Sequence, residues 1–284
     1  MTLARTLPLP LALRLLRKLP LPRKLGLLEA LFGQALSSAG VGWVRCANGV
    51  DWKLDLGDPT HRWIVFGAYE GGLGIEFARS RLKDGGVFVD SGANIGQWLL
   101  YLGALPGVRT LAFEPVDSQR QWLEACVARQ SHWRGPCEIL PFGLGGADQE
   151  VEIQCDGARS TTQLSWYQGK QLQRQTITIR RLDEVLQSAG IHQVEIWKLD
   201  VEGAEDEALL GAEHYLAHQR IRAIYFEARP ANYGRCKELL EGWGYRIHRL
   251  GRHGPQPISL DRLEAMEDLL ALPIDAPSSL DATL

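Results

Sequence analysis

Hydrophobic and polar positions change rhythm several times along this chain, and each rhythm predicts a different element. Leu11, Leu15 and Leu19 recur at helical spacing, with Arg14, Arg17 and Lys18 left for another face, so a short basic amphipathic helix is expected up to Pro20. Leu25, Leu28, Leu31, Phe32 and Leu36 extend the pattern and predict a second helix over 25–37. From Trp43 to Leu56 the pattern favours extended structure, with a hairpin turn at Asn48-Gly49. Gly71, Gly72 and Gly74 then precede a helix around Ile75 to Leu82.

A β–α alternation follows. Val87-Phe88-Val89 is a short apolar run of the kind that buried parallel strands show. Helices are expected at 96–104, Ser118 to Gln130, Ala204 to Leu216 and Tyr233 to Trp243. Strands are expected at Arg109 to Phe113, Cys137 to Phe142, Val194 to Leu199, Ile221 to Phe226 and Tyr245 to Leu250. Val151 to Cys155 and Thr176 to Ile179 read as two further strands around a polar stretch, 156–175. That stretch holds Ser160, Thr161, Thr162, Trp166 and Tyr167 and is too long for a tight turn, so a mobile segment over the site is expected there. Alternation over so much of the chain predicts an α/β fold, a mostly parallel sheet with helices on both faces. The expected division is a basic helical arm over 1–40, an α/β domain over 41–262 and a tail over 263–284, with little structure-forming signal from Pro273 onward.

Ligands of such sheets sit at the carboxyl ends of the strands. The first strand runs into Asp90-Ser91-Gly92-Ala93-Asn94-Ile95-Gly96. Its glycines allow a sharp strand-to-helix turn and close approach of a ligand. The dinucleotide fingerprint is G-x-G-x-x-G, whereas this loop offers Gly92-x-Asn94-x-Gly96 with an acid in front. The second strand ends in Phe113-Glu114-Pro115, placing Glu114 24 positions beyond Asp90 (114 − 90), where a carboxylate would meet a ribose diol. An acidic loop start and no evident phosphate cradle favour a nucleoside cofactor without a pyrophosphate. S-adenosyl-L-methionine fits, with its sulfonium and ammonium near Asp90.

At this point the residues resemble the FkbM-type methyltransferases, a family of class I S-adenosylmethionine-dependent enzymes. The resemblance runs from roughly Val44 to Tyr245. It rests on Gly67-Ala68-Tyr69-Glu70, on Val89 to Gly96, on Ala112-Phe113-Glu114-Pro115, and above all on Lys198-Leu199-Asp200-Val201-Glu202-Gly203-Ala204-Glu205. Arg181-Leu182-Asp183-Glu184-Val185 is similar to the segment that precedes the last of these. The resemblance implies a seven-stranded Rossmann-like sheet and O-methylation of a hydroxyl on a sugar, glycolipid or natural product. It also implies that Asp90, Gly92 and Gly96 surround the cofactor and that Glu114 holds its ribose. Ser91 stands where the family usually has a valine or isoleucine-like residue.

Alternation along the strand ending at Asp200 puts Lys198 on the same face as Asp200, one pleat deeper. A buried ammonium needs a partner, and Asp200 or Glu227 is available. Asp200, Glu202 and Glu227 are therefore the candidate catalytic carboxylates, able to take a proton from an alcohol directly, or, for Asp200 and Glu227, to hold a divalent cation. His132 and His192 are the two histidines worth testing, although neither has a catalytic partner in sequence.

Composition narrows the rest. A net charge of −3 and no nucleic-acid-reading motif point to a small-molecule acceptor and no nucleic-acid partner. Five scattered cysteines, with no CxxC pair, read as reduced thiols of a cytoplasmic protein. Charges interrupt the N-terminal apolar run too early for a secretory signal, and no stretch is long enough to span a bilayer. Residues 1–36 carry six basic side chains and no acid before Glu29, which suits packing on the domain or contact with an acidic membrane surface or partner. Two other readings are weaker. A nicotinamide oxidoreductase lacks its third glycine and a Tyr–Lys pair, and a non-catalytic interaction protein would not need Asp90, Gly96 and Glu114 intact.

Overall fold

The computed structural model describes residues 6–19, 21–46, 49–69, 72–131, 133, 135–155, 160–161 and 173–274. In chain order, helices Leu11–Leu16 (α1) and Lys24–Ser37 (α2) form the arm. Strands Val41–Arg45 (β1) and Asp51–Asp55 (β2) make an antiparallel hairpin. Helix Pro59–Val65 (α3) starts with proline at its first position and with Asp58 Oδ1 accepting from the Thr60 amide at 2.7 Å, so an orphan donor is capped. Then come Leu73–Arg81 (α4), Gly86–Ser91 (β3), Leu99–Leu102 (α5), Val108–Phe113 (β4), Asp117–Arg129 (α6) and Cys137–Leu140 (β5). Strands Phe142–Leu144 (β6), Gln149–Cys155 (β7), Ser160–Thr161 (β8) and Gln173–Arg180 (β9) follow. The chain continues through Leu182–Ser188 (α7), Ile196–Leu199 (β10), Glu205–Leu210 (α8), Glu213–Ala217 (α9), Ile224–Ala228 (β11) and Tyr233–Gly242 (α10). It ends in Tyr245–Gly251 (β12), Gly254–Pro257 (β13) and Glu267–Pro273 (β14).

The large sheet has the order β13-β12-β14-β11-β10-β3-β4-β5. Strands β11, β10, β3, β4 and β5 pair in parallel. All four residues of β10 are buried, as expected for a central strand covered by helices on both faces. Strand β14 lies antiparallel between β11 and β12. The sheet has eight strands where seven were expected, β13 being added by a hairpin at the edge. A separate four-stranded sheet has the order β6-β9-β7-β8. Its Ile153 and Ile177 pack with Val116.

Several boundaries differ from expectation. The tail expected from residue 263 contains β14, whose Leu269, Leu270 and Ala271 are fully buried. A strand buried on both faces has no alternation to reveal it, and Pro273 at its end disguised it further. The helix expected over 96–104 is reduced to α5, because Asn94 and Gly96 take left-handed backbone angles (φ 51° and 97°). The helix expected over Ala204 to Leu216 is split into α8 and α9 at Gly211, where a Cβ would lie 2.2 Å from the Gly145 carbonyl oxygen.

The arm docks on the domain, but α1 turns its expected stripe outward: Leu13 is fully buried, whereas Leu11, Leu15 and Leu19 are exposed. Helix α2 buries Leu28 and Leu36 of its expected stripe. Arg17, expected among the solvated basic residues, is buried and donates to the carbonyls of Val65 and Arg45, both at 3.3 Å. Val65 ends α3, so the guanidinium meets one of that helix's orphan carbonyls. The Asn48-Gly49 turn includes residue 48, which lies outside the described residues, as do Glu70, His132, Thr162, Trp166, Tyr167 and most of 156–175.

Candidate functional site

Parallel pairing of β3 with β10 sets Lys198 opposite Asp90, and pairing with β11 sets it opposite Tyr225. The register alone thus brings an ammonium and a carboxylate together inside the sheet. Lys198 Nζ lies 3.5 Å from Asp90 Oδ1 and 3.3 Å from Asp200 Oδ2, and it donates to the carbonyls of Gly92 (2.8 Å) and Ser91 (3.2 Å). Burial works against its charge, but Asp200 and Asp90 outweigh burial and hold its pKa above the ordinary value. Asp90 is fully buried, and neither of its carboxylate oxygens has a hydrogen-bond partner among the described residues. Burial raises its pKa against the pull of Lys198.

The glycine loop leaves β3 in a conformation that only glycine fits. At Gly92 (φ 72°) a Cβ would sit 1.9 Å from the Asp200 carbonyl oxygen. At Gly96 it would meet Leu123 at 2.7 Å. These glycines therefore serve packing between strand ends and helices as much as ligand approach. Glu114, 3% exposed at the end of β4, accepts from the amides of Asn94 (2.7 Å) and Val116 (2.9 Å). Burial pushes its carboxyl up to about 7, with the Val116 and Asn94 amides opposing. A carboxylate offers about four acceptor positions, so two remain for a ligand.

Two cavities meet at this edge, sharing Gly92, Glu114, Asp200 and Glu202 in their walls. The larger, about 750 Å³, is lined by Asn94, Gln97, Trp98 and Tyr225 and by the carboxylates Asp200, Glu202 and Glu227. Gly74 makes room for Tyr225, whose ring lies 4.7 Å from that of Trp98, and Tyr69 closes the near end. The smaller, about 100 Å³, is an apolar slot formed by Pro115, Leu144, Val201 and isoleucines of the small sheet.

Across the cavity, Arg229 gathers the remaining acids. Its Nη2 lies 2.6 Å from Glu202 Oε2, and its Nε donates to Glu227 Oε2 at 2.7 Å. Glu202 itself holds a left-handed backbone (φ 58°), a strain typical of functional turns. Burial, then the charge of Asp200, pushes the Glu227 carboxyl up to about 7 despite Arg229. The same causes raise Glu202. Glu205, fully buried, accepts from the amides of Val201 and Gly203, both at 3.1 Å, and from Asn232 at 2.6 Å. It therefore braces the 200–204 turn from below. Asp200, Glu205 and Glu227 bring one oxygen each within 4.8 Å of one another, but Lys198, the backbone amides with Asn232, and Arg229 already engage them.

The structure therefore sorts the expected site residues. Gly92, Asn94, Glu114 and Pro115 line the cavities, as do Asp200, Glu202 and Glu227. Asp90, Ser91, Ala93 and Gly96, expected around the cofactor, line neither. They support the loop from behind: Asp90 faces Lys198, and the Ser91 hydroxyl accepts from Trp197 Nε1 at 2.7 Å. That bond gives the serine hydroxyl a buried partner that an aliphatic side chain could not serve. His192 is exposed, and no histidine lines the large cavity among the described residues. Arg229, Trp98 and Tyr225 were not singled out from sequence. Glu227-Ala-Arg229 spacing, which puts both side chains on one face at a strand end, was the available signal for the first.

A sheet with a glycine turn at the central strand, an acid at the next strand end and a deep cavity over both has the layout of a methyltransferase. A family model, the methyltransferase FkbM domain, matches residues 90–247, more than half of the chain. The chain belongs to that family, whose methyl donor is S-adenosylmethionine. An antimetabolite synthetase of Pseudomonas aeruginosa, AmbE, is 26% identical over 205 residues, which are 57% of this chain and 10% of that protein. An FkbM methyltransferase from Methylobacillus flagellatus KT is similar in structure, with a TM-score of 0.43 and 17% identity, covering 86% of this chain and 58% of its own. Magnesium protoporphyrin IX methyltransferase of Synechocystis PCC 6803, solved with its methyl donor, gives a TM-score of 0.41 at 11% identity, covering 75% and 83%.

The donor set fits the cofactor. Glu114 has acceptor positions to spare for a diol, the apolar slot beside Pro115 offers a face for a purine, and the Asn94 turn borders the space between them and Asp200. The described helices include none long and apolar enough to cross a membrane.

Proposed function

We propose that the chain methylates a hydroxyl of a small acceptor, a sugar, glycolipid or other natural product, held in the large cavity between Trp98 and Tyr225 on one side and Asp200 and Glu227 on the other. The observation that carries this reading is the placement of two carboxylates of different character beside the cofactor loop. Asp200 is held by Lys198, and Glu227 ionises near neutrality. When bound, S-adenosylmethionine supplies an electrophilic methyl group on a sulfonium. The chain then has three tasks.

Glu114 and the Asn94 turn hold the nucleoside, with Asp90 acting through Lys198 to fix the loop. The cavity walls orient the acceptor oxygen in line with the methyl, a positioning effect that supplies much of the rate. Glu227 or Asp200 would take the proton of the acceptor hydroxyl as its oxygen is methylated. A base with a pKa near the working pH is best matched to that task. Arg229 keeps Glu202 and Glu227 in place and balances their charge.

Tyr225 and Trp98 suit the apolar face of a sugar or polyketide ring. The net charge of −3 favours a small acceptor over nucleic acid. The relative named as an antimetabolite synthetase supports a natural-product acceptor. The test is methyl-labelled cofactor offered with hydroxylated sugars, glycolipids and natural products, followed by alkaline treatment of the product. Base-stable label, formed equally in the presence of a chelator, is expected. Base-labile label would mean a carboxyl ester, and the hydroxyl reading would fall.

A further inference from the structure

Of the nine large apolar side chains that stand exposed among the described residues, five are leucines of the N-terminal arm. Leu11, Leu15 and Leu19 are 68%, 60% and 46% exposed, and Leu27 and Leu31 on the second helix are 44% and 57% exposed. They do not face outward by fraying. Leu13 and Leu28 sink into the same core cluster, and Arg17 is pinned to Val65 and Arg45, so the arm has one orientation and the leucines are its outer face. Soluble proteins rarely leave such a surface uncovered.

The charge around it is also unusual. The protein as a whole carries −3, yet Arg14, Lys18 and Arg23 have no acidic partner among the described residues. No Asp or Glu precedes Glu29, and Glu29 is tied to Arg62 at 2.5 Å. Beside the first helix lies a groove of about 470 Å³ walled by Leu7, Leu9 and Leu11 together with Arg14 and Lys18.

We propose that this face docks on an anionic lipid surface, its leucines entering the acyl boundary and Arg14, Lys18 and Arg23 meeting headgroup phosphates. An acidic peptide would satisfy the basic residues but leave leucines spread over two helices uncovered. A bilayer offers anions and hydrocarbon over the whole area. The arm rests on the core cluster that includes Trp98, against which Tyr69 and Tyr225 of the cavity wall also pack. The docking itself does not depend on which acceptor is used.

Co-sedimentation of the full chain with phosphatidylcholine vesicles, with and without phosphatidylglycerol, tests this. Binding to the anionic vesicles alone is expected. It should weaken with salt and fall at least ~tenfold in the exposed-face variant Leu11→Gln/Leu15→Gln/Leu19→Gln. Arg14→Glu/Lys18→Glu should lose ~tenfold or more, at about fivefold for each basic residue near such a surface. Unchanged S-adenosylhomocysteine binding in both variants shows that they are folded. Absence of vesicle binding by the wild-type chain overturns the proposal. So does capture by polyglutamate that matches vesicle binding and ignores the leucine substitutions, which would mark the face as a site for an acidic protein.

Discussion

The two sides of the large cavity hold their carboxylates by different means. On the glycine-loop side, Glu114 is fixed by two main-chain amides and Asp90 by strand register opposite Lys198, and both are buried. On the side formed by the ends of β10 and β11, Asp200, Glu202 and Glu227 are held by the side chains of Lys198 and Arg229, and two of the three are substantially exposed. Main-chain donors cannot swing away from a ligand, which suits recognition of a cofactor of constant shape. Ion pairs with long side chains can redistribute as charge changes, which suits proton handling on an acceptor. Lys198 belongs to both sides, reaching Asp90 and Asp200 at once.

The most severe test of this contrast is Asp200→Asn. If Asp200 belongs to the chemical side, turnover should fall by ~10²–10⁴-fold while affinity for S-adenosylhomocysteine stays within about twofold. A folded variant with full turnover would remove Asp200 from the chemistry. Lys198→Met cuts the shared cation and should cost about 3–5 kcal/mol of stability, because it leaves buried Asp90 without compensation. Urea unfolding measures it. Adding Asp90→Asn to that variant should restore part of the loss, and if it restores none, the pair is not what the cation stabilises.

The recognition side was the more legible of the two in the sequence. Gly92, Gly96 and Glu114 are local signals, each tied to a strand end that an apolar run announces. Lys198 facing Asp200 was legible from alternation, and its meeting with Asp90 follows from the β3–β10 register. What sequence could not supply was which side of the loop a residue faces. Asp90 and Ser91 still lie within β3, where their side chains meet Lys198 and Trp197, while Ala93 and Gly96 pack inward after the backbone turns left-handed at Gly92; none of the four lines the cavities. The same limit applies to the arm. Leu11, Leu15 and Leu19 share a stripe, but the domain buries Leu13 and Arg17 instead, a choice made by the pocket that receives them. Strand β14 escaped notice because burial on both faces erases its pattern.

Of middle size is the effect expected at Glu114. Replacement by alanine removes hydrogen bonds from a charged acceptor to the ligand and should weaken S-adenosylhomocysteine binding by about 1.5–3 kcal/mol in calorimetry. The change also leaves the Asn94 and Val116 amides without their partner, so some loss of stability accompanies it. Unaltered affinity in a folded variant would break the assignment of this side to the cofactor.

The smallest effect sharpens the comparison most, because it separates the two carboxyls that ionise near neutrality. Burial raises Glu114 from an ordinary 4.5 to about 7, with Lys198 lowering it and Asp90 raising it further. In the free protein it keeps a proton that the unfolded chain releases, so its contribution to stability declines as pH climbs from about 4.5 to about 7 and is constant above that. Ligand hydroxyls that donate to the carboxylate favour the charged form, so binding expels that proton. Affinity for S-adenosylhomocysteine should therefore increase with pH, by up to ~tenfold between about pH 6 and 8, with proton release visible as a buffer-dependent heat. Glu227 is also pushed up to about 7, but it lies on the other side of the cavity, so Glu227→Gln should leave this affinity profile intact while flattening the rise of turnover with pH. Glu114→Gln should do the reverse. If Glu227→Gln instead flattens the binding profile, the two sides are one coupled site, and the division between recognition and chemistry does not hold.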